Sequence, residues 1–427
     1  MSDVLKPEQP VRVALIGAGH RSQGTYEQVF PSVTPWLQVV AVCDPVRSNC
    51  DPMADRLRVP AYYDIRRLVR ERPMEAALVV TPVPSHHGIS VYLSSHGVHN
   101  LTETTWASML CQARQMRRVA HENRAIARVA ENFFRFPVDR FAQTVRDSGY
   151  LGRIRRVFSY ADHTGYHNNS RWIAFAQDHP DWVQCIQHAM GHPAFYSTPQ
   201  RMHDREVLDA RFLHFPDGFA VMDTGSGHVK GHLGRHPRPG YTEWQGERGT
   251  LVASVPGALW AGNATMELRK VSDHRLAQAQ QARGELMGGG VADVNTPVDI
   301  VMTDGAWERI SGQTPEGPIE YVNRFPYPLS TPNLSPWYLA PVVDELVDFA
   351  LAVRGLQGSE FTDDDALMSQ MMQVGAHESA LQEGRRIHLP IEGDLEADAI
   401  ERERQREQFG VDPLDVDAML DMSHAKP

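Results

Sequence analysis

The sequence predicts an α/β chain of two domains: a doubly wound parallel sheet, then an α+β domain with a mainly antiparallel, open sheet. Three observations carry that expectation. Up to about Phe134 the chain alternates short apolar runs with amphipathic stretches, as strands joined by crossover helices do. Beyond Phe134 strand-like segments crowd together with fewer helical intervals. The length, 427 residues, exceeds what one hydrophobic core usually holds and suits two.

The elements follow in order. The early apolar runs are Val11–Ile16, Val39–Cys43, Ala76–Thr81, Val98–Leu101 and Ile126–Glu131. The stretches between them, such as Ser22–Val29, Ile65–Arg70, Ile89–Ser95 and Ala107–Asn123, have helix length. The right-handed crossover rule then leaves a doubly wound sheet as the simplest topology. Later strands are expected at Ile154–Tyr160, Ala210–Phe215, Ala220–Asp223 and Thr250–Val255. Residues 256–335 are rich in Gly, Pro and polar residues and read as long loops or an insertion.

Two helices should follow. Val342, Leu346, Phe349 and Val353 share one helical face. The next helix opens at Thr362, with Asp365 at capping-box spacing, and closes near Gly384. The run Glu401-Arg-Glu-Arg-Gln-Arg-Glu407 reads as a solvated helix or a tail packing on a neighbour. The expected division is 1–133, 134–395 and a charged tail, 396–427.

Composition narrows the function. A net charge of −11 argues against nucleic acid or an anionic membrane as main partner. Cys43, Cys50, Cys111 and Cys185 show no C-x-x-C spacing, so neither a disulfide framework nor a zinc site is expected. The polar start, Met1 to Pro10, is unlike a signal peptide, and no apolar run is long enough to span a bilayer. A cytoplasmic protein is the expectation.

Val11-Arg-Val-Ala-Leu-Ile-Gly17-Ala-Gly19-His20-Arg21-Ser22 is a strand running directly into G-x-G-x-x-S. Gly17 permits the tight turn, Gly19 lets the backbone approach a pyrophosphate, and small Ser22 lets helix and strand pack closely. The helix that opens there offers free N–H groups and a positive dipole end to phosphate. Asp44 ends the second strand, placed to hydrogen-bond the ribose hydroxyls of NAD and repel a 2′-phosphate. Arg47 could instead grip such a phosphate, which keeps NADP open. The expected first domain is therefore a Rossmann domain.

The chain also resembles the Gfo/Idh/MocA oxidoreductase family, from about Val11 to about Pro390. Thr81-Pro82-Val-Pro-Ser-His86 is similar to the family's Thr-Pro-Asn-x-x-His. Gly97-Val-His99-Asn-Leu-Thr-Glu103-Thr104-Thr105 resembles its Gly-Lys-His-Val-x-x-Glu-Lys-Pro. Gly149-Tyr-Leu-Gly152-Arg-Ile154 and Gly246-Glu-Arg-Gly249-Thr-Leu251 look like its Gly-x-x-Gly-x-Ile and Gly-x-x-Gly-x-Leu strand motifs. By resemblance Thr81, Pro82, His86, Glu103, Thr104 and Asn132 join Gly17, Gly19, His20, Arg21, Ser22, Asp44 and Arg47 around the cofactor. One departure matters for chemistry. The family's lysine, which assists proton transfer beside the nicotinamide, is Thr104 here.

A branch of NAD-dependent α-N-acetylgalactosaminidases also lacks that lysine. Glu131-Asn132 resembles the branch's Glu-Asn, and Gln187-His188-Ala-Met-Gly191-His192 resembles its Thr-His-Gly-Leu-Gly-Pro segment. That alignment puts His188 on the active-site histidine; the dehydrogenase pattern Asp-x-Gly-x-His-x-x-Asp puts His192 there instead. Both are carried as catalytic candidates, since a histidine titrates near neutral pH. On a helix, residues four apart would share a face. No acidic third ligand stands nearby, so no metal is expected.

Arg135 and the stretch Tyr166-His167-Asn168-Asn169-Ser-Arg171-Trp172 offer the polar and aromatic groups that orient a sugar ring. His228, His232 and His236 read as a loop near the substrate mouth or a subunit contact. Three functions follow: an NAD(P)-dependent oxidoreductase of a sugar or cyclitol hydroxyl with histidine in place of lysine, a glycosidase or lyase that holds and recycles NAD, or a silent dinucleotide sensor. A small carbohydrate-like substrate and a homo-oligomer formed through the open sheet are the expected partners.

Overall fold

The computed structural model describes residues 4–161, 165–198, 201–226, 240–254, 264–281, 292–332 and 334–422. The first sheet holds β1 (Val11–Ile16), β2 (Leu37–Cys43), β3 (Ala61–Tyr62), β4 (Ala76–Val79), β5 (His99–Thr102) and β6 (Ala127–Val129). Its order is β3-β2-β1-β4-β5-β6, with every pair parallel. The direction of winding reverses between β1 and β4. Ligands of doubly wound sheets bind outside the strand ends at such a reversal. Buried on both faces, β4 reads as an unbroken apolar run, Ala76–Val79. The five expected strands are all present; the two-residue edge strand β3 was too short to announce itself.

Helices α1 (Glu27–Val33), α2 (Arg47–Leu57), α3 (Ile65–Glu71), α4 (Val83–Ser95) and α5 (Leu110–Glu122) make the crossovers. Ahead of α1 lies a π-helical turn, Ser22–Tyr26. A 3₁₀ turn, Phe133–Arg135, and α6 (Pro137–Ser148) lead out of the domain.

The second sheet has eleven strands in the order β16-β15-β14-β13-β12-β11-β7-β10-β9-β8-β17. They are β7 (Ile154–Ala161), β8 (Trp182–Thr198), β9 (Arg201–His214), β10 (Ala220–Ser226), β11 (Gly240–Gly246), β12 (Gly249–Ser254), β13 (Thr265–Lys270), β14 (Val294–Thr303), β15 (Ala306–Thr314), β16 (Gly317–Val322) and β17 (Ile387–His388). Among the described residues of this sheet, only β7 and β10 pair in parallel. Helix α7 (His167–Ala176) follows β7, and α8 (Asp273–Gln281) lies between β13 and β14. Val157, Val183, Leu213, Val221, Trp244 and Leu251 line the covered face, in one core with residues of α6, α7 and α10 (Asp363–Leu381). The other face is open, with Ile186, Met222 and Tyr241 exposed.

Three expectations are corrected. The region read as loops or insertion carries β13, α8, β14, β15 and β16, its hairpin turns supplied by glycines such as Gly305 and Gly317. The segment holding His188 and His192 is strand β8, not helix, because it zips against β9. The charged end, read as a solvated helix or a tail packing on a neighbour, is helical and docked on its own chain: α11 (Glu396–Phe409) buries Ala397 and Gln405, and α12 (Val416–Asp421) buries Met419, which lies against α4 near Gly88.

Helix α9 (Pro336–Val353) presents the expected apolar face. It packs Leu339, Val343, Leu346 and Val347 into the core of the first sheet, with Val13, Leu15 and Val29. The chain thus returns to its first domain after building the second, so no single cut near residue 133 separates the two cores. The capping box of α10 forms as expected: Asp365 N–H donates to Thr362 Oγ1 at 3.2 Å, and Thr362 N–H donates to Asp365 Oδ2 at 2.8 Å.

Candidate active site

At the end of β1, Gly17 takes φ +92°, and a Cβ there would lie 2.3 Å from the Val80 carbonyl oxygen. Any other residue would push β4 away. Ser22 Oγ donates to the Gly17 carbonyl at 2.6 Å and closes the turn. Gly19 has nothing within 4 Å of where a Cβ would stand, so its backbone borders open space, as a pyrophosphate cradle requires. Asp44 accepts from Ala18 N–H and Val46 N–H, 2.8 Å each. Its carboxylate therefore locks the glycine loop, with lone pairs left for ribose hydroxyls. The Arg47 guanidinium lies 3.9 Å from the Tyr63 ring centroid. His20 is exposed and borders a groove with Arg21, Gly24 and Thr331. These residues fit a dinucleotide.

Beyond the loop, at the reversal of the sheet, a cavity of about 280 Å³ is lined by Arg21, Val80, Thr81, Glu103, Thr104, Tyr166, His167 and Tyr338. Strand ends β1, β4 and β5 deliver the first five, α7 and the residue before it give Tyr166 and His167, and α9 gives Tyr338. Glu103 is the hub. Arg21 pairs with it, Tyr26 hydroxyl donates to it at 3.0 Å, and Thr104 N–H donates at 2.9 Å. Burial alone would raise the Glu103 carboxyl; Arg21 and these hydrogen bonds hold it below the usual range. Arg21 also donates to Tyr338 hydroxyl at 2.5 Å. The His86 ring sits 2.8 Å from the carbonyl oxygens of both Thr81 and Thr105 and joins the two strand ends. Pro82 caps α4. Asn132 is buried beside Tyr338, with its side-chain amide directed at the Tyr338 hydroxyl.

His167, expected from the sequence as a substrate contact, is an ionisable group of this same cavity. Its Nδ1 is 3.0 Å from Glu131 Oε2, and its ring stacks on Phe133 at 3.9 Å between centroids. Ser170 Oγ reaches the same Glu131 oxygen at 3.1 Å. Burial pushes the His167 imidazole down to about 3 and the Glu131 carboxyl well above its ordinary value. Both shifts favour the uncharged forms, a protonated Glu131 beside a neutral His167 imidazole. Beside it, burial pushes the Tyr166 hydroxyl up despite a hydrogen bond with Thr104.

A larger cavity of about 590 Å³ continues from Thr105, Tyr166 and Asn168 toward Gln187, Asp209 and Arg211 of the second sheet and His377 of α10. Asp398, Glu401 and Arg404 of α11 form its far wall. Three expected substrate contacts lie behind these walls. Arg135 is buried in ion pairs with Asp348 at 2.9 Å and Glu360 at 2.7 Å, which spend its charge. Arg171 donates to Asp139 at 2.8 Å and Trp172 Nε1 to Asp223 at 2.8 Å, both fully buried.

Of the two catalytic candidates, His188 is not brought to either cavity. His188 is exposed on β8, whereas its neighbour Gln187 lines the larger cavity. Successive strand residues point to opposite faces, so His188 looks out of the open side. His192 lies on the same strand, with its side chain outside the described residues. His228, His232 and His236 also lie outside the described residues. Among the described residues no three His, Cys, Asp or Glu side chains group to hold a metal.

The sheet order, glycine loop and cavity at the reversal define a nucleotide-binding α/β protein with an appended sheet domain. Residues 11–131 match the Gfo/Idh/MocA family model, an oxidoreductase family with an NAD-binding Rossmann fold. That match is confined to the first domain, and the whole chain shares its fold with solved oxidoreductases. One, from Agrobacterium radiobacter in complex with NAD+, L-tartaric acid and magnesium, has a TM-score of 0.61 at 15% identity, covering 89% of this chain and 98% of that one. Myo-inositol 2-dehydrogenase from Lactobacillus plantarum gives 0.60 at 15% identity, covering 89% and 99%. The WlbA dehydrogenase from Chromobacterium violaceum, in complex with NADH and UDP-GlcNAcA, gives 0.61 at 14% identity, covering 92% and 100%. No curated protein matches the sequence.

Proposed function

We propose that the protein is an NAD(P)-dependent oxidoreductase acting on a hydroxyl of a sugar or cyclitol, with His167 doing the work of the family's lysine. The observation that carries this reading is the Glu131–His167 pair, buried at the cavity where the sheet reverses. A bound nicotinamide would supply the hydride acceptor or donor. When a carbonyl is reduced, His167 Nε2–H gives its proton to the substrate oxygen, while Glu131 passes its own proton to Nδ1. In oxidation both moves reverse: Nε2 takes the hydroxyl proton and Nδ1–H returns one to Glu131. Tyr166 and Thr104, hydrogen-bonded together, border the reacting oxygen without changing charge. Asp44 favours NAD over NADP.

The open face of the second sheet, with Ile186, Met222 and Tyr241 exposed, supports pairing with a second copy. The test is incubation of the protein and NAD with a panel of sugars, cyclitols and glycosides. Absorbance from NADH should appear with one of them. Glycoside cleavage without net NADH would replace this reading by the recycling glycosidase, and neither product would leave a dinucleotide sensor.

A further inference from the structure

The charges around the 590 Å³ cavity do not balance. Four carboxylates (Asp209, Asp223, Asp398, Glu401) face two guanidiniums (Arg211, Arg404). Both guanidiniums are already engaged. Arg211 grips Asp223 through Nε at 2.8 Å and Nη2 at 2.6 Å, and its Nη1 donates to Asn169 Oδ1 at 2.9 Å. Arg404 lies on Glu401, through Nε at 2.7 Å and Nη2 at 2.6 Å. Asp398 is bound by the Leu110 and Cys111 N–H groups at 2.9 and 3.0 Å. Asp209 is left. The Gln187 amide holds its carboxyl, Oδ1 has no partner among the described residues, and of its neighbours Arg211 is already taken by Asp223, which leaves the His377 imidazole beside it. The other polar groups lining the cavity are Thr105, Ser108, Tyr166, Asn168 and Gln373.

Such a lining offers a ligand acceptors, neutral amides and the His377 imidazole, and no unspent guanidinium or ammonium. Hydroxyl groups satisfy it; a phosphate or carboxylate would meet unpaired negative charge and lose its water without repayment. Size points the same way. At about 30 Å³ per water, the cavity displaces on the order of twenty waters, more than one hexose ring fills.

Resting on the oxidoreductase reading above, we propose that the substrate is an uncharged, hydroxyl-rich glycoside, whose oxidised ring sits by His167 and whose second ring or aglycone fills this cavity against α11. Asp209 accepts hydroxyl donors from that distal part. Glu401, by keeping Arg404 occupied, excludes phosphorylated and carboxylated sugars.

Calorimetry on the full chain with NAD present tests this, with neutral disaccharides and aryl glycosides set against monosaccharides, sugar phosphates, uronic acids and UDP-sugars. The neutral two-ring compounds should bind at least about 10-fold tighter than their anionic counterparts, one charge-assisted hydrogen bond's worth. Asp209→Asn should lose about that factor for neutral glycosides at an unchanged thermal midpoint. Glu401→Ala, at the exposed far wall, frees Arg404 and should improve binding of sugar phosphates. Tighter binding of an anionic sugar by the parent protein, or an Asp209→Asn variant with unaltered affinity, overturns the inference. If neutral glycosides fail to bind while a single-ring or anionic sugar still yields NADH, the substrate class is wrong and the oxidoreductase reading stands. If neutral glycosides bind and nothing is turned over, the reverse holds.

Discussion

At the scale of single residues, the site turns on which histidine reaches the nicotinamide end of the groove. His167 has a buried carboxylic partner and a cavity before it; His188 has solvent. His167→Ala should lower turnover by about 10² to 10⁴-fold, the usual share of a proton-transfer group. His188→Ala should leave turnover within a few-fold, and the opposite result would restore the strand histidine to the mechanism. Asp44 is a second discriminating residue, because it serves both the glycine loop and the ribose. Asp44→Ala should weaken NAD binding by about 10-fold or more, and NADP binding by less. Equal losses, read by titration of intrinsic fluorescence, would confine Asp44 to holding the loop. His167 had a legible signal: Gly165-Tyr-His167 also fits the Gly-x-His of the dehydrogenase pattern. Tyr338 had none of that kind, since it meets Arg21 from a separate element; Glu131 was marked by the Glu-Asn resemblance, which did not show that it meets His167.

Among elements, the helices at the cavity wall cap one another. Helix α5 begins after Met109, whose side chain has no oxygen to offer, and α11 begins after Leu395. Asp398 of α11 accepts the first two N–H groups of α5, and Glu378 of α10 accepts Ala397 N–H at 2.9 Å. A carboxylate at a helix start satisfies orphan donors and meets the positive dipole end. Asp398→Ala should therefore cost about 1 kcal/mol, seen as a lower thermal midpoint and faster proteolytic removal of α11. If the midpoint holds and α11 stays protected, the cap carries no stability. The charge pattern of 401–407 showed that this segment is helical and solvated on one side. It could not show that the other side is docked, because Asp398 and Leu110 are far apart in the chain.

For the whole molecule, buried carboxyls set the response to pH. Burial raises Glu131 and Glu345 well above their ordinary value of 4.5, so both fold protonated. Their contribution is complete below that value and is lost as pH rises toward the raised folded value, because the unfolded chain then releases protons that the folded chain keeps. Glu75 works the other way. Hydrogen bonds from Arg354 hold it at about 2, against burial, so its contribution is present above 4.5 and lost as pH falls toward 2. The gap in melting temperature of the cofactor-free protein between about pH 5 and about pH 8 thus has two opposing sources. Glu131 and Glu345 favour pH 5, against the imidazoles of His86, His87, His99 and His167, which burial holds low and which favour pH 8. Glu131→Gln should move that gap toward relatively greater stability at about pH 8, and an unchanged gap in the variant would mean Glu131 is ionised in the fold.

The sequence by itself determined the first domain: the strand, glycine turn and helix, the acid ending β2, and the Glu103 segment ending β5. These are local features, each complete within a few residues, where turn geometry and strand periodicity leave little choice. The tertiary structure alone decided the rest of the site. Strand pairing put Gln187 toward the cavity and His188 away from it, and the return of α9 brought Tyr338 across 317 residues to Arg21. Facing and burial depend on what packs opposite, and those partners are chosen by the folded core, which no short stretch of chain contains.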